Sequence, residues 1–151
     1  MTSRYDSEGQ FELEQDLRRT YRECLGQDLI PGEGDLSVYR ADRVVLCHDG
    51  ADDPCFIYAN EAAQQLWKMS WDEMIGMPSR LSAIPEAREE RAEQLRRAAR
   101  DGFVRDYSGI RVASDQTRFE IRNVVIWTVT DQTGAVIGQA ATFTDWSVIS
   151  E

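Results

Sequence analysis

The spacing of hydrophobic and polar residues changes period several times along the chain, and each change marks an element. From Phe11 to Cys24 the apolar positions Phe11, Leu13, Leu17, Tyr21 and Leu25 fall on or near one helical stripe. Gly26 ends that helix and the turn-rich "IPGEGD" follows, while "MTSRYDSEGQ" before it reads as a frayed lead-in. The period then drops to two. "DRVVLCHDG" and "CFIYA" read as two strands joined by the turn "DGADDP", an antiparallel hairpin.

Asn60 follows the second strand directly and can cap a helix "EAAQQLWK" by accepting a backbone N–H from Ala62 or Ala63. Ser70 and Glu73 have the spacing of a capping box, which starts a short helix "WDEMI" that Gly76 and Pro78 end. "PEAREERAEQLRRAARDG" predicts the longest helix of the chain, with Pro85 in its first turn and Gly102 after its end. Its apolar stripe is narrow (Ala92, Leu95 and Ala99), Glu93 and Arg97 have ion-pair spacing, and the rest reads as a solvated, charged face. Three strands close the chain: "FVRDYSGIRVA", "TRFEIRNVVIWTVT" and "AVIGQAATFTDW", separated by "SDQ" and "DQTG". The order predicts an α+β domain on one five-stranded antiparallel sheet.

The last two strands carry a puzzle. Phe119, Ile121, Val125, Trp127 and Val129 alternate on one face with Asn123 among them, and Ile137, Ala141 and Phe143 share a face with Gln139. A buried amide costs free energy unless it is bonded. Either the two amides bond each other or nearby backbone, or they face a cavity that something else enters.

Composition narrows the functions available. The chain has 151 residues, 42% hydrophobic and 29% charged, which suits a single globular core. Its 27 acidic against 17 basic residues, a net charge of −10, argue against gripping a nucleic-acid backbone. No apolar run reaches membrane-spanning length. Three cysteines and no secretory apolar segment at the start point to a reducing cytoplasm.

Cys47, His48 and Cys55 in "CHDGADDPC" invite a metal or nucleophile reading. Adjacent strand residues point to opposite faces, however, which is poor geometry for a Cys47–His48 dyad or for joint zinc ligation. A Cys47–Cys55 disulfide is disfavoured in a reducing compartment. Arg105, Tyr107 and Arg111 share a face of "FVRDYSGIR", with Arg80 in a loop that can approach them. Such a cluster either clamps a carboxylate or pairs with Glu120 and Asp106 as ordinary surface charges.

The element order, with Tyr58, Asn60, Ala62, Ser70, Glu73 and Gly76 at the expected spacing, resembles the PAS fold. Blocks such as "CHDGADDPCFIYANEAAQQLWKMSWDEM", "MPSRLSA", "GFVRDYSGIR" and "GQAATFTDW" resemble, in order, the MEKHLA domain, over Asp16 to Trp146. That PAS-related family occurs as small bacterial proteins and at the C-terminus of plant class III homeodomain–zipper transcription factors. Cys47 stands where Ser is common in the family, and Cys55 where an aliphatic residue is common.

The resemblance implies a PAS-like sheet with short helices on one face and a flanking N-terminal helix. Residues 1–35 would hold the lead-in and that helix, and 36–151 the domain. It implies a non-catalytic sensory or regulatory module that binds a small, mostly apolar molecule between sheet and short helices. On that reading Gln139, Asn123, Trp127, Phe143, Tyr58, Trp67 and Arg111 are the candidate ligand contacts, with Trp71 as core or wall. The alternative is an interaction module with a solid core that homodimerises through the N-terminal helix. No cofactor is named. His48, the one histidine, lies beside a turn, which disfavours haem, and "MPSRLSA" lacks the cysteine of flavin photochemistry.

Overall fold

The computed structural model describes residues 8–31 and 37–149; most of the lead-in, part of the "IPGEGD" linker and the boundary at 35 lie outside the described residues. The sheet order is β2-β1-β5-β4-β3, built from β1 (Val44–Asp49), β2 (Phe56–Ala59), β3 (Phe103–Val112), β4 (Arg118–Thr130) and β5 (Val136–Phe143), all pairs antiparallel. A short β6 (Asp145–Val148) pairs with the first half of β4 in the register that β5 keeps with the second half, so β5 and β6 act as one bent strand.

The local start and stop signals form as read. Helix α2 (Glu61–Trp67) is capped by Asn60, whose side chain accepts from the Ala63 backbone N–H, and α3 (Trp71–Met74) has the full Ser70–Glu73 capping box. The charged segment is split: Pro85–Ala87 forms a single 3-10 turn and α4 covers Arg88–Asp101, 14 residues, so it is shorter than the 18-residue N-terminal helix and not the longest as expected. Helix α1 (Glu8–Leu25) is closed by the Gly26 N–H bonding to the Arg22 carbonyl.

Two layers of core result. The inner face of the sheet packs on α2 and α4 through Trp67, Phe119, Val124, Ile126 and Phe143. The outer face is covered by α1, where Leu17 and Tyr21 join Val45, Tyr58, Trp127 and Val129. Tyr21 stands edge-on to Trp127 at 5.0 Å, and the Trp127 indole N–H donates to Thr20 Oγ1 at 2.9 Å. The α1 stripe also buries polar groups: Tyr58 donates its hydroxyl to Glu14 at 2.7 Å. Phe11, which the periodicity placed on the stripe, is 62% exposed.

The largest departure from the sequence pattern lies in β3 and β4. Asp106 and Asn123 adopt left-handed backbone, φ 63° and 54°, and the register shifts at both. Each is an extra residue in its own strand, and one extra residue turns every later side chain to the other face. Phe119 and Ile121 therefore share the inner face with Val124 and Ile126, whereas Val125, Trp127 and Val129 point outward to α1. The single alternating face expected through Asn123 does not exist. A third irregularity, at Ile57 in β2, puts Phe56 on the inner face opposite His48 and Tyr58 on the outer face opposite Cys47.

Candidate functional site

The inner face leaves a cavity of about 40 Å³ between β1, β3, β4 and β5 and the helices α2 and α4. Its walls are mainly apolar, with Trp67, Phe143, Ile121 and Ile126 prominent, but polar side chains enter from four elements. His48 comes from β1, Arg111 from β3, Gln139 from β5 and Arg91 from α4. His48, Arg91 and Arg111 are 7%, 8% and 5% exposed, so these three are held away from water.

Strand pairing sets His48. It lies opposite Gln139 of β5, and the two strands leave no room one residue on, where a Cβ on Gly138 would lie 1.9 Å from the His48 carbonyl oxygen. Only glycine fits that crossing. The ring Nδ1 sits 2.9 Å from the Asp49 carbonyl, which can only accept, so Nδ1 carries the proton. Nε2 is buried and, among the described residues, has no hydrogen-bond partner. Burial lowers the imidazole pKa, and the Arg91 charge pushes the same way, against the opposing pull of the Asp49 carbonyl and carboxylate.

The neutral ring is therefore the folded form. The unfolded chain binds the proton more readily, so His48 contributes stability that is present above the ordinary imidazole pKa and lost as pH falls below it. Comparing thermal midpoints of the wild type and His48→Gln at pH 7.5 and 5.5 checks this. The wild type is expected to lose more stability on acidification than the variant, and equal losses would remove His48 as the cause.

Arg111 folds back along its own strand. Its Nη2 donates to Tyr107 Oη at 3.3 Å, its Nη1 to the Ile110 carbonyl at 3.0 Å, and the guanidinium lies over the Tyr107 ring. Gly109 between them supplies the room, since a Cβ there would stand 2.4 Å from Tyr107 Oη and 2.9 Å from Arg111 Nη1. Arg91 donates to Ser79 Oγ at 2.7 Å, and Ser79 sits fully buried in the "MPSRLSA" turn. Burial first, then the Arg111 charge, lowers Arg91 to about 10, so it remains a cation at neutral pH. Among the described residues neither arginine has an ion pair with a carboxylate.

Gln139 answers half of the amide puzzle. It donates from Nε2 to the Leu95 carbonyl at 2.8 Å, and its neighbour across the strands, Thr128, donates to the Ala98 carbonyl at 3.2 Å. These two bonds tie α4 to the sheet. Gln139→Ala is expected to cost about 1 kcal/mol and to speed hydrogen exchange in α4 more than in β4. Uniform acceleration would show that the bond does not hold the helix locally.

Of the seven sequence candidates, Gln139, Phe143, Trp67 and Arg111 line the cavity. Asn123 does not: it is exposed at its bulge and donates to Asp145 at 3.3 Å. Trp127 and Tyr58 face α1 on the far side of the sheet, for the parity reasons above. Trp71 packs on Tyr58 at 5.8 Å and is likewise outside the cavity. Arg105 is separated from Tyr107 by the Asp106 bulge and is exposed, and Arg80 turns outward to Asp53. Glu120, offered as a partner for Arg111, pairs with Arg122 instead.

Two cavity residues escaped the sequence reading. His48 lies inside the strand, on the same alternating face as Val44 and Leu46, which was the signal that it points inward. Arg91 falls on what the sequence pattern reads as a charged face. The inward stripe of α4 is Arg91 and Ala98, both buried, with Leu95 half-buried between them, one residue round from the one expected; Ala99 is exposed. Glu93 pairs with Arg96 rather than Arg97. Cys47, on the outer face, is buried, and burial pushes its thiol pKa up; Cys24, Cys47 and Cys55 are all free. No helix among the described residues is long and apolar enough to cross a membrane.

Known structures share this fold at low sequence identity. The PAS domain of a protein from Colwellia psychrerythraea superposes with a TM-score of 0.62 at 14% identity, covering 74% of this chain and 89% of its own. A light-oxygen-voltage domain, from a study of its mechanism with a flavin analogue, gives 0.57 at 19% identity, covering 72% and 78%. No curated protein matches the sequence. The model of the MEKHLA domain matches residues 11–148, from the flanking helix to the last strand, and the chain belongs to the MEKHLA domain family.

Proposed function

We propose that this sensory-type domain works without catalysis, by taking a small molecule into the cavity between the inner sheet face and helices α2 and α4. The observation that carries the reading is the convergence of polar side chains from four elements on one small cavity, three of them buried. A core filled only for stability avoids such groups, because each one costs free energy to dehydrate. The polar end is larger than the sequence suggested, so the ligand is amphipathic rather than mostly apolar.

Gln139 supplies the output. It lines the cavity and holds α4 by the Leu95 carbonyl, so a ligand that prefers one arrangement of this amide shifts the position of the helix. The exposed, charged side of α4 then presents the change to a partner protein. Homodimerisation through α1 is not part of this reading, because Leu17 and Tyr21 are spent on the chain's own sheet.

Native mass spectrometry of protein purified from its own host, followed by thermal shift against a metabolite library, tests it. An adduct released on denaturation, or a specific shift, is expected. A clean apo mass together with no shift across the library would overturn the proposal.

A further inference from the structure

We propose that the ligand is a short-chain hydroxycarboxylate, its carboxylate held by Arg91 and Arg111 and its hydroxyl donated to His48 Nε2. The inference rests on the reading of the cavity as a ligand site and adds the chemical class. It begins from charge. Two arginines line one cavity, each more than nine-tenths buried, and their charges act on each other. Buried cations are ordinarily paired, since an uncompensated charge inside a protein costs several kcal/mol, of order. Among the described residues their hydrogen-bond partners are Ser79, Tyr107 and a backbone carbonyl, all neutral. The missing component is an anion.

Geometry narrows the class. Arginine forks match planar carboxylates in two-point fashion, and Gly109 keeps Arg111 folded at the cavity wall by leaving room for it beside Tyr107. His48 adds a different demand. Because Nδ1 bears the proton, Nε2 presents a lone pair, and a bare carboxylate has nothing to give it. A ligand that satisfies both ends carries acceptor oxygens for the arginines and an O–H for the imidazole.

The remaining walls, Trp67, Phe143, Ile121 and Ile126, suit a carbon skeleton better than a fully polar phosphate. The cavity of about 40 Å³ takes roughly three water-sized spheres, less than even the smallest hydroxycarboxylate needs, so the walls part on binding and the shortest skeletons fit best.

Glycolate, lactate and 2-hydroxybutyrate are the probes, with acetate, propionate and butyrate as matched acids lacking the hydroxyl. Each is titrated calorimetrically into the full chain at constant ionic strength. The hydroxy acids are expected to bind about 10-fold or more tightly than their matched acids. Arg111→Met and Arg91→Met should each weaken binding about 10- to 100-fold, while their ligand-free thermal midpoints equal or exceed that of the wild type, because an unpaired buried charge has gone. His48→Met should bind hydroxy and plain acids alike. Gly109→Ala keeps every charge yet should weaken binding by displacing Arg111.

Unfolding of both arginine variants would make the guanidiniums structural and overturn the proposal, as would failure of all six acids to bind at millimolar concentration. Equal binding of the two acid series by the wild type would overturn the role of His48. Should uncharged compounds bind while no carboxylate does, the class is wrong and the ligand-binding reading stands. If nothing binds, both fall.

Discussion

Asn60→Ala is expected to lower the free energy of unfolding by about 3–4 kcal/mol, measured by urea denaturation at neutral pH. The side chain is fully buried and makes four hydrogen bonds to backbone. Its Oδ1 accepts from the N–H groups of Val45 at 3.0 Å and Ala63 at 3.1 Å; its Nδ2 donates to the carbonyls of Val38 at 3.0 Å and Arg43 at 2.7 Å. One amide thus joins β1, the start of α2 and the segment before β1. Alanine removes all four bonds and strands the backbone groups in a dry place, which costs more than the bonds alone. Asn60→Asp keeps the acceptors but sets a carboxylate against two carbonyls, so it should be comparably damaging. A loss below about 1 kcal/mol for the alanine variant would mean that water replaces the amide, and the joint role would be wrong.

Leu17→Asp is expected to be at least as severe, with a loss of about 4 kcal/mol or more and release of α1 from the sheet. Leu17 has no exposed surface and sits in the outer core with Tyr58, Trp127 and Val129. The substitution removes the burial of a leucine side chain and demands that a carboxylate be buried or the helix leave. Leaving is the cheaper course, and it uncovers the Trp127 indole, whose N–H is bonded to Thr20. Hydrogen exchange should show loss of protection throughout Glu8–Leu25, and tryptophan emission should shift to the red. Retained protection of α1 with unchanged emission would show that the helix does not depend on this contact. The experiment also bears on signalling, because a chain with α1 released reports whether the cavity still binds its ligand when the opposite face of the sheet is open.

The capped helices were legible because their signals are local. Asn60 reaches Ala63 within one turn, and Ser70 and Glu73 satisfy each other across three residues, whatever the rest of the chain does. The meander was legible for the same reason, as its turns are short and polar. The faces of β4 were not. Alternation was sound on either side of Asn123, but a left-handed residue at that point moved Trp127 and Val129 to the far side of the sheet. Asparagine tolerates that backbone better than most residues, so the hint was present in the residue type. Its cost was read as a buried amide instead of a bulge.

The amide pair illustrates the same limit from the other side. The pattern puts Gln139 on the correct face with Ala141 and Phe143 because β5 pairs with β4 without a shift from Gly138 to Thr142. The shift at Ile137 turns that residue to the outer face, and a shift in β4 displaces Asn123. The two amides bond neither each other nor a common partner.

By itself the sequence determined the element order, the caps, the sheet and the family, because each depends on contacts within a few residues or on a pattern repeated along one strand. The tertiary structure alone decided what the cavity is. His48, Arg91, Arg111 and Gln139 lie on four elements separated by up to 91 positions, and nothing local tells two arginines that they share one space with no acid from the described residues paired to them. Whether a charge is solvated or buried depends on strand register and on the rotation of α4 about its axis, and both are set by packing across the whole sheet.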